Sequence, residues 1–327
     1  MDIDAPTAHG PVADRIRIGV SSCLLGQEVR YNGGHKRDAF LVETFGRYVE
    51  WITVCPEVEL GMGTPREPVR LARQGEDIRM LGTTSQVDHT VAMRAFARRR
   101  VAELAAEDLC GYVLKKDSPS CGMDRVRVYG AGGMPARSGR GLFAEALMQR
   151  YPTLPVEEEG RLCDPRLREN FVERVFAYRR LRSLFSGRWT RGAVVEFHTA
   201  HKLQLLAHSQ RSYRDLGRLV ADLKEIPREE FRTCYESEFM AALGRHATPR
   251  RHVNVLQHML GYLRKHLADI ARRDLVRVIE DYANGIVPLV VPVTLFRHYV
   301  ACLGINYLDG QTYLEPHPKE LLLRNHV

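Results

Sequence analysis

Three of the seven cysteines in this 327-residue chain stand in contexts that could do chemistry. Cys23 lies in Ser21-Ser22-Cys23-Leu24-Leu25-Gly26, Cys55 in Cys55-Pro56-Glu57, and Cys121 in Ser118-Pro119-Ser120-Cys121-Gly122. Each follows a short apolar run that predicts a strand, at 16–21, 51–54 and 111–115. In a parallel sheet the three loops would share the carboxyl edge, where open α/β folds bind ligands. Three thiolates meeting there without an evident fourth suggest a metal centre with one open position. Soft sulfur ligands suit zinc or an iron–sulfur centre, and the spacing alone does not choose between them. Taken singly, each cysteine would more often be a small buried hydrophobe. Cys110, Cys163, Cys234 and Cys302 lack comparable contexts and are read as packing residues.

Groups near these cysteines could serve a reaction. Glu57, two residues from Cys55, could position or deprotonate a water, or simply anchor its loop. Ser118 and Ser120 flank Pro119 and could bond a substrate or a sulfur, or only hold a turn. Arg66, in the rigid Gly61–Pro68 loop, could clamp an anion or a base edge, or pair with the neighbours of Glu67, and Lys115 and Lys116 end a strand at the same edge. There is no phosphate-cradling G-x-x-x-x-G-K-[ST] loop, no dinucleotide G-x-G-x-x-G after a strand and no G-x-S-x-G elbow. That argues against nucleotide-hydrolysing, dinucleotide-dependent and ordinary esterase chemistry, and so against a nucleotide cofactor.

The elements that must position these residues alternate through the first half. Helices are predicted at 38–47, 86–106 and 143–150, and a last short strand at 154–156. The pair 69–73 and 78–81 around Gln74-Gly75-Glu76-Asp77 reads as an inserted hairpin. This predicts an α/β domain with a doubly wound, mostly parallel sheet over residues 15–164, after a flexible polar tail at 1–14. Asp164-Pro165 has the form of a helix start. Beyond it the pattern is helical at 165–185, 194–207, 212–223, 227–243, 252–267, 268–284 and 293–304, so 165–327 is expected to be an all-α domain.

Composition narrows the class. With 44% hydrophobic and 27% charged residues the chain is neither disordered nor membrane-embedded, and no apolar run approaches a membrane span. The polar start lacks a signal-peptide core, so the cytoplasm is the expected compartment. Seven cysteines, an odd number, do not suggest a disulfide framework. Through Asp164 there are 22 Lys and Arg against 23 Asp and Glu, and from Pro165 there are 26 against 17. The second half therefore carries the basic excess, which suits a polyanion or is merely a solvated surface. Within it, His198, His201 and Lys202 lie on one predicted helix, with Arg211 just before the next and Arg214 on it. Basic groups interleaved with tyrosine suit RNA phosphates and stacked bases. The competing reading is histidines bonded within a helical core and arginines on a solvated face.

The three cysteine contexts, with Val29-Arg30-Tyr31-Asn32-Gly33 and Thr64-Pro65-Arg66-Glu67-Pro68, resemble the thiouracil desulfidase (TudS-like) family over about residues 16–156. Asn32 is a small departure, since Asp is expected there in many members. The second half looks like a helical domain often fused to that family, and the whole resembles RudS-type desulfidases of transfer RNA. The resemblance implies a [4Fe–4S] cluster on Cys23, Cys55 and Cys121, with the open iron taking the sulfur of 4-thiouridine. It implies hydrolysis of C=S to C=O without redox change, and it carries Glu57 and Ser118 over as proton-transfer or water-positioning residues. Two rival expectations remain: a desulfidase of free thiouracil or a thionucleoside, and a redox-sensing iron–sulfur RNA-binding protein. Turnover separates the last from an enzyme.

Overall fold

The computed structural model describes residues 16–130 and 134–326, so the expected tail at 1–14 lies outside the described residues. The chain divides into two compact units, Met1–Arg161 and Leu162–Val327. In the first unit the elements run β1 (Ile16–Ser21), β2 (Val49–Val54), the single turn α1 (Pro56–Glu59), β3 (Val69–Gln74), β4 (Asp77–Gly82), α2 (Thr90–Glu103), β5 (Gly111–Leu114), β6 (Val126–Tyr129), β7 (Pro135–Gly139), α3 (Leu142–Arg150) and β8 (Val156–Glu158).

Four of these strands form an all-parallel sheet in the order β2-β1-β5-β8. Its central strands are buried along nearly their whole length, from Ile18 and Val20 of β1 to Tyr112, Val113 and Leu114 of β5. Continuous apolar runs of this kind are what a sheet covered on both faces requires. The chain leaves β1 for β2 on one side and returns through α2 to β5 on the other, which is the doubly wound pattern that sequence predicts. The order reverses between β1 and β5, so the carboxyl ends of those strands flank the switch point where such sheets open a crevice.

The predicted hairpin is present as β3 and β4, paired from Val69↔Gly82 to Gln74↔Asp77 and turned by Gly75 at positive φ. It belongs to a second sheet, ordered β4-β3-β6-β7, that the sequence reading did not contain. Strand β6 carries arginine between two valines and β7 is mostly exposed, so their apolar signal is weak. The helix expected at 38–47 is instead a π turn (Phe40–Thr44) followed by a 3-10 turn (Phe45–Arg47).

The second unit is helical: α4 (Pro165–Phe185), α5 (Arg191–His208), α6 (Gln210–Ala221), α7 (Arg228–Leu243), α8 (Pro249–Leu263), α9 (Asp269–Ala283), α10 (Val290–Leu303) and the short α11 (Asn306–Asp309). Side-chain oxygens set several starts. Asp164 Oδ1 accepts from the amides of Arg166 and Leu167 at 2.8 and 3.1 Å, with Pro165 in the first turn. Thr190, Ser209 and Thr248 cap α5, α6 and α8 in the same way. The unit's apolar cluster joins Leu203 and Leu206 of α5 to Leu256 and Met259 of α8, Leu275 and Ile279 of α9, and Phe296 of α10. No helix among the described residues is long and apolar enough to cross a membrane.

Candidate active site

Cys23, Cys55 and Cys121 line one cavity of about 400 Å³ at the carboxyl edge of the parallel sheet. Each is placed by a tight local structure directly after its strand. Cys23 lies in a 3-10 turn (Ser22–Leu25) that closes on Gly26, whose φ of 94° favours glycine. The Cys23 carbonyl also accepts the Lys36 amide at 2.9 Å, tying the next loop back to the sheet. Cys55 precedes Pro56 at the start of α1, and its amide donates to Glu59 Oε1 at 3.0 Å. Cys121 sits in a turn whose amide nitrogens converge on Ser118: Ser120 N and Cys121 N reach Ser118 Oγ at 3.3 and 3.1 Å, and Gly122 N reaches Ser118 O at 2.8 Å. Gly141 lies so close to the Ser120 carbonyl that a Cβ there would clash with backbone, so this turn is packed as well as bonded.

A polar relay joins the cavity's acids and hydroxyls. Ser118 Oγ already accepts two amides, so its own proton points to Ser120 Oγ, 3.0 Å away. Ser120 Oγ in turn donates to Glu57 Oε1 at 2.6 Å. The other carboxylate oxygen, Glu57 Oε2, accepts from Arg66 Nη2 at 2.8 Å, with the two side chains 14% and 6% exposed. Arg66 Nη1 donates to the carbonyls of Val29 and Gly63 at 2.9 and 3.0 Å. Glu57 Oε2 lies 3.9 Å from Cys55 Sγ, and Ser120 Oγ lies 3.7 Å from Cys121 Sγ. Glu57 and the serines are therefore wired to two of the three sulfurs.

The structure places the first-unit residues singled out in the sequence around this cavity and gives Arg66 and Ser120 partners within the protein. Arg66 appears in the sequence as an anion clamp, yet in the fold its guanidinium is engaged by Glu57 and loop carbonyls. It holds the carboxylate rather than reaching for a ligand. Ser120 appears there as a substrate contact, and it is the hydroxyl that touches Glu57, with Ser118 one step behind. Lys115 lines the cavity, but its ammonium bonds Glu159 Oε1 and the Lys116 carbonyl. Arg30 and Lys36, which the sequence reading did not assign a role, and Lys116, read as ending a strand at this edge, also line it; the Lys116 amide donates to Glu159 Oε2 at 2.7 Å, and none of the three side chains has an ion-pair partner among the described residues. Their signal was only proximity to a cysteine-bearing strand.

The three thiols are free. Burial pushes the Cys23 thiol up to about 11, against the pull of Lys115, and raises Cys55 and Cys121 as well. Such thiols are protonated at neutral pH, so any metal they take must displace their protons. Among the described residues no three His, Cys, Asp or Glu side chains surround a position for a single ion. Three cysteines around one cavity, with no fourth beside them in its lining, suit a polynuclear iron–sulfur group that leaves one position open. The donor set is soft sulfur, with Cys23 and Cys121 buried and Cys55 half-buried, and it fits the same group. Cys110 is fully buried, as expected of a packing residue, whereas Cys163, Cys234 and Cys302 are exposed.

In the second unit the histidines of α5 belong to the core. His198 Nδ1 meets Tyr235 Oη at 3.1 Å, and burial pushes its ring down to about 4. His201 donates from Nδ1 to the Phe197 carbonyl at 2.7 Å, accepts at Nε2 from Arg180 at 3.1 Å, and stacks on Phe197. Neither ring is open to a phosphate, which corrects their reading as RNA contacts: aromatic packing claimed that face of the helix. Lys202 is half-buried, and Arg211 and Arg214 are exposed on α6.

Comparison with known proteins gives concordant results. The profile of a family described as 2-thiouracil desulfurase matches residues 18–159, and that of a protein family of unknown function, DUF1722, matches residues 202–318. Protein YbgA of Escherichia coli is 36% identical over 161 residues, covering 49% of this chain and 95% of YbgA. Protein YbbK of Bacillus subtilis is 35% identical over 113 residues, covering 32% of this chain and 72% of YbbK. A solved structure, the [4Fe-4S]-dependent thiouracil desulfidase TudS, is 34% identical and covers 46% of this chain and 94% of its own, with a TM-score of 0.37.

Proposed function

The chain belongs to the 2-thiouracil desulfurase family, with a DUF1722 domain following, and on that premise we propose that it removes sulfur from 4-thiouridine in transfer RNA, leaving uridine. The observation that carries this reading is the convergence of Cys23, Cys55 and Cys121 with the Ser118–Ser120–Glu57 relay on one cavity. The three cysteines would hold a [4Fe–4S] cluster, which when bound supplies an open iron able to draw electron density from a thiocarbonyl sulfur. The chain's own groups then have defined tasks. Glu57 is oriented by Arg66 at Oε2, which leaves Oε1 as the atom that exchanges a proton. There it takes a proton from the water that adds to the base carbon. Ser120, with Ser118 behind it, carries that proton toward the departing sulfur. The balance is C=S plus water to C=O plus hydrogen sulfide, with no change of oxidation state.

Two features favour a phosphate-bearing substrate over a free base. The side-chain charges of Arg30, Lys36 and Lys116 line the cavity without ion-pair partners among the described residues, and a free thiouracil would give them no phosphate to bind. The second half also carries 26 Lys and Arg against 17 Asp and Glu, a surface a small base does not need. None of the seven cysteines is in a disulfide, which suits work in a reducing compartment such as the cytoplasm. The test is turnover. Protein prepared without oxygen, incubated with bulk tRNA containing 4-thiouridine, should bleach the thiocarbonyl absorbance and release one sulfide per base without added reductant. A requirement for reductant, or no sulfide at all, would reject the reading.

A further inference from the structure

The basic excess of the second unit is not spread evenly over its helices. On α6, which sequence pattern favours for RNA contact, Asp215 pairs with both Arg211 and Arg218, at 3.5 and 3.6 Å. One carboxylate there is shared between two of the helix's three arginines, and Arg214 is left without an ion-pair partner among the described residues. The α8–α9 pair behaves differently. Leu256, Met259 and Leu263 of α8 and Leu275, Ile279 and Tyr282 of α9 pack into the unit's core. A separate groove of about 260 Å³ is lined by Arg264, Arg272, Arg273 and Arg277 with a single carboxylate, Glu280. All four arginines are exposed. Arg272 pairs with Asp269 at 2.9 Å, while Arg264, Arg273 and Arg277 have no ion-pair partner among the described residues.

Like charges gathered in one groove repel one another in the free protein, and a polyanion laid along them relieves that repulsion. Every cation in the groove is arginine rather than lysine. The planar guanidinium fork bonds phosphate oxygens in pairs and stacks on base or sugar faces, which a lysine ammonium does not. Val276, 40% exposed, gives the groove an apolar wall against which a ribose can rest. Arg273 and Arg277 stand four residues apart on α9, hence side by side on one face.

We propose that this α8–α9 groove, and not the α5–α6 face, grips the phosphate backbone of the RNA that the second unit binds. The inference rests on the reading of the chain as an RNA-directed desulfidase and names the surface that reading needs.

The test uses the full chain and an unmodified tRNA transcript without thiouridine, so that binding is measured apart from chemistry. The triple variant Arg264→Gln/Arg273→Gln/Arg277→Gln should weaken binding by about tenfold or more at moderate salt, and should flatten the log–log salt dependence by about three, one unit for each lost phosphate contact. The pair Arg211→Gln/Arg214→Gln should change the affinity no more than about twofold, since exposed charges away from the contact act only through screened solvent. Circular dichroism of each variant checks that the helices stand. Wild-type affinity and salt slope in the folded triple variant would overturn the proposal, as would a defect confined to the α6 pair. Polyglutamate bound by the groove while tRNA binds undisturbed would overturn it as well, assigning the groove to an acidic protein. The two readings fail separately. Groove-dependent tRNA binding without sulfide release from thiolated tRNA would remove the catalytic reading and leave the groove, and sulfide release with no groove dependence would do the reverse.

Discussion

Arg66 is the residue whose replacement most sharply tests how the site is built. Its guanidinium and the Glu57 carboxylate are both largely withdrawn from water, at 6% and 14% exposure, and meet at 2.8 Å. Removing one partner of such a pair strands the other charge, at a cost of about 3–5 kcal/mol. Arg66 also caps the carbonyls of Val29 and Gly63, so Arg66→Ala leaves those acceptors without their donor too. For a unit of this size each kcal/mol moves the melting midpoint by about 2–4 °C, so the first unit should melt about 6–20 °C lower. Arg66→Lys keeps the charge but not the fork. It should recover part of the stability and less of the rate, because a single ammonium cannot hold Glu57 and two carbonyls at once. Differential scanning calorimetry of the full chain gives the midpoints, and sulfide release from thiolated tRNA gives the rates. An Arg66→Ala protein that melts like the wild type would refute the buried-pair argument. One that also turns over normally would show that Arg66 does not position Glu57.

Other consequences are as direct. Glu57→Gln and Ser120→Ala should each slow turnover by about a hundredfold or more while retaining bound iron, since in the proposed reaction both would carry the relayed proton. Ser118→Ala should lose less rate, because it stands one bond further back; equal rates for all three variants and the wild type would dismiss the relay. Cys110→Ser should lower stability with no loss of iron, for its side chain is fully buried and stands apart from the three that line the cavity. The second unit should be acid-labile. His201 and His252, both pushed down to about 3 by burial, and His198 and His317, pushed down to about 4, fold as neutral rings. A histidine whose folded value is depressed contributes stability above its unfolded value near 6.5 and loses it as pH falls below that, at about 1.4 kcal/mol per pH unit for each ring. Glu169, raised to about 7 by burial, and His208, raised against its burial by the adjoining Glu173, work in the opposite sense and offset part of this loss. Calorimetry between pH 7 and pH 5 should therefore show the second unit's midpoint falling by about 10 °C or more. A midpoint independent of pH over that interval would mean that these rings can charge in place.

The parallel sheet and the cysteine edge were legible because their signals are local: apolar runs of strand length, each followed by an unusual cysteine context. The helices of the second unit were legible for the same reason, with Asp164-Pro165 marking the start of α4 to the residue. What the sequence concealed depended on partners distant in the chain. Strands β6 and β7 pair with each other and with the hairpin, and an exposed arginine-bearing strand has no periodicity to betray it. The role of Arg66 turns on carbonyls and a carboxylate up to 37 residues away. His198 and His201 looked accessible because a helix repeat shows which residues share a face but not what covers it. Phe197, Tyr235 and Phe239 cover that face. The same limit hid the ion pairs of α6 and the bare arginines of α8 and α9.

The account stands on the claim that Cys23, Cys55 and Cys121 form one reactive centre. Iron and acid-labile sulfide analysis of protein purified without oxygen tests it most directly. Wild-type protein should carry about four of each per chain, the content of one [4Fe–4S] cluster, and replacing any one of the three cysteines by Ala should abolish it. Replacing Cys163, Cys234 or Cys302 should not. Stoichiometric zinc without iron, or full iron retained in Cys121→Ala, would contradict the claim.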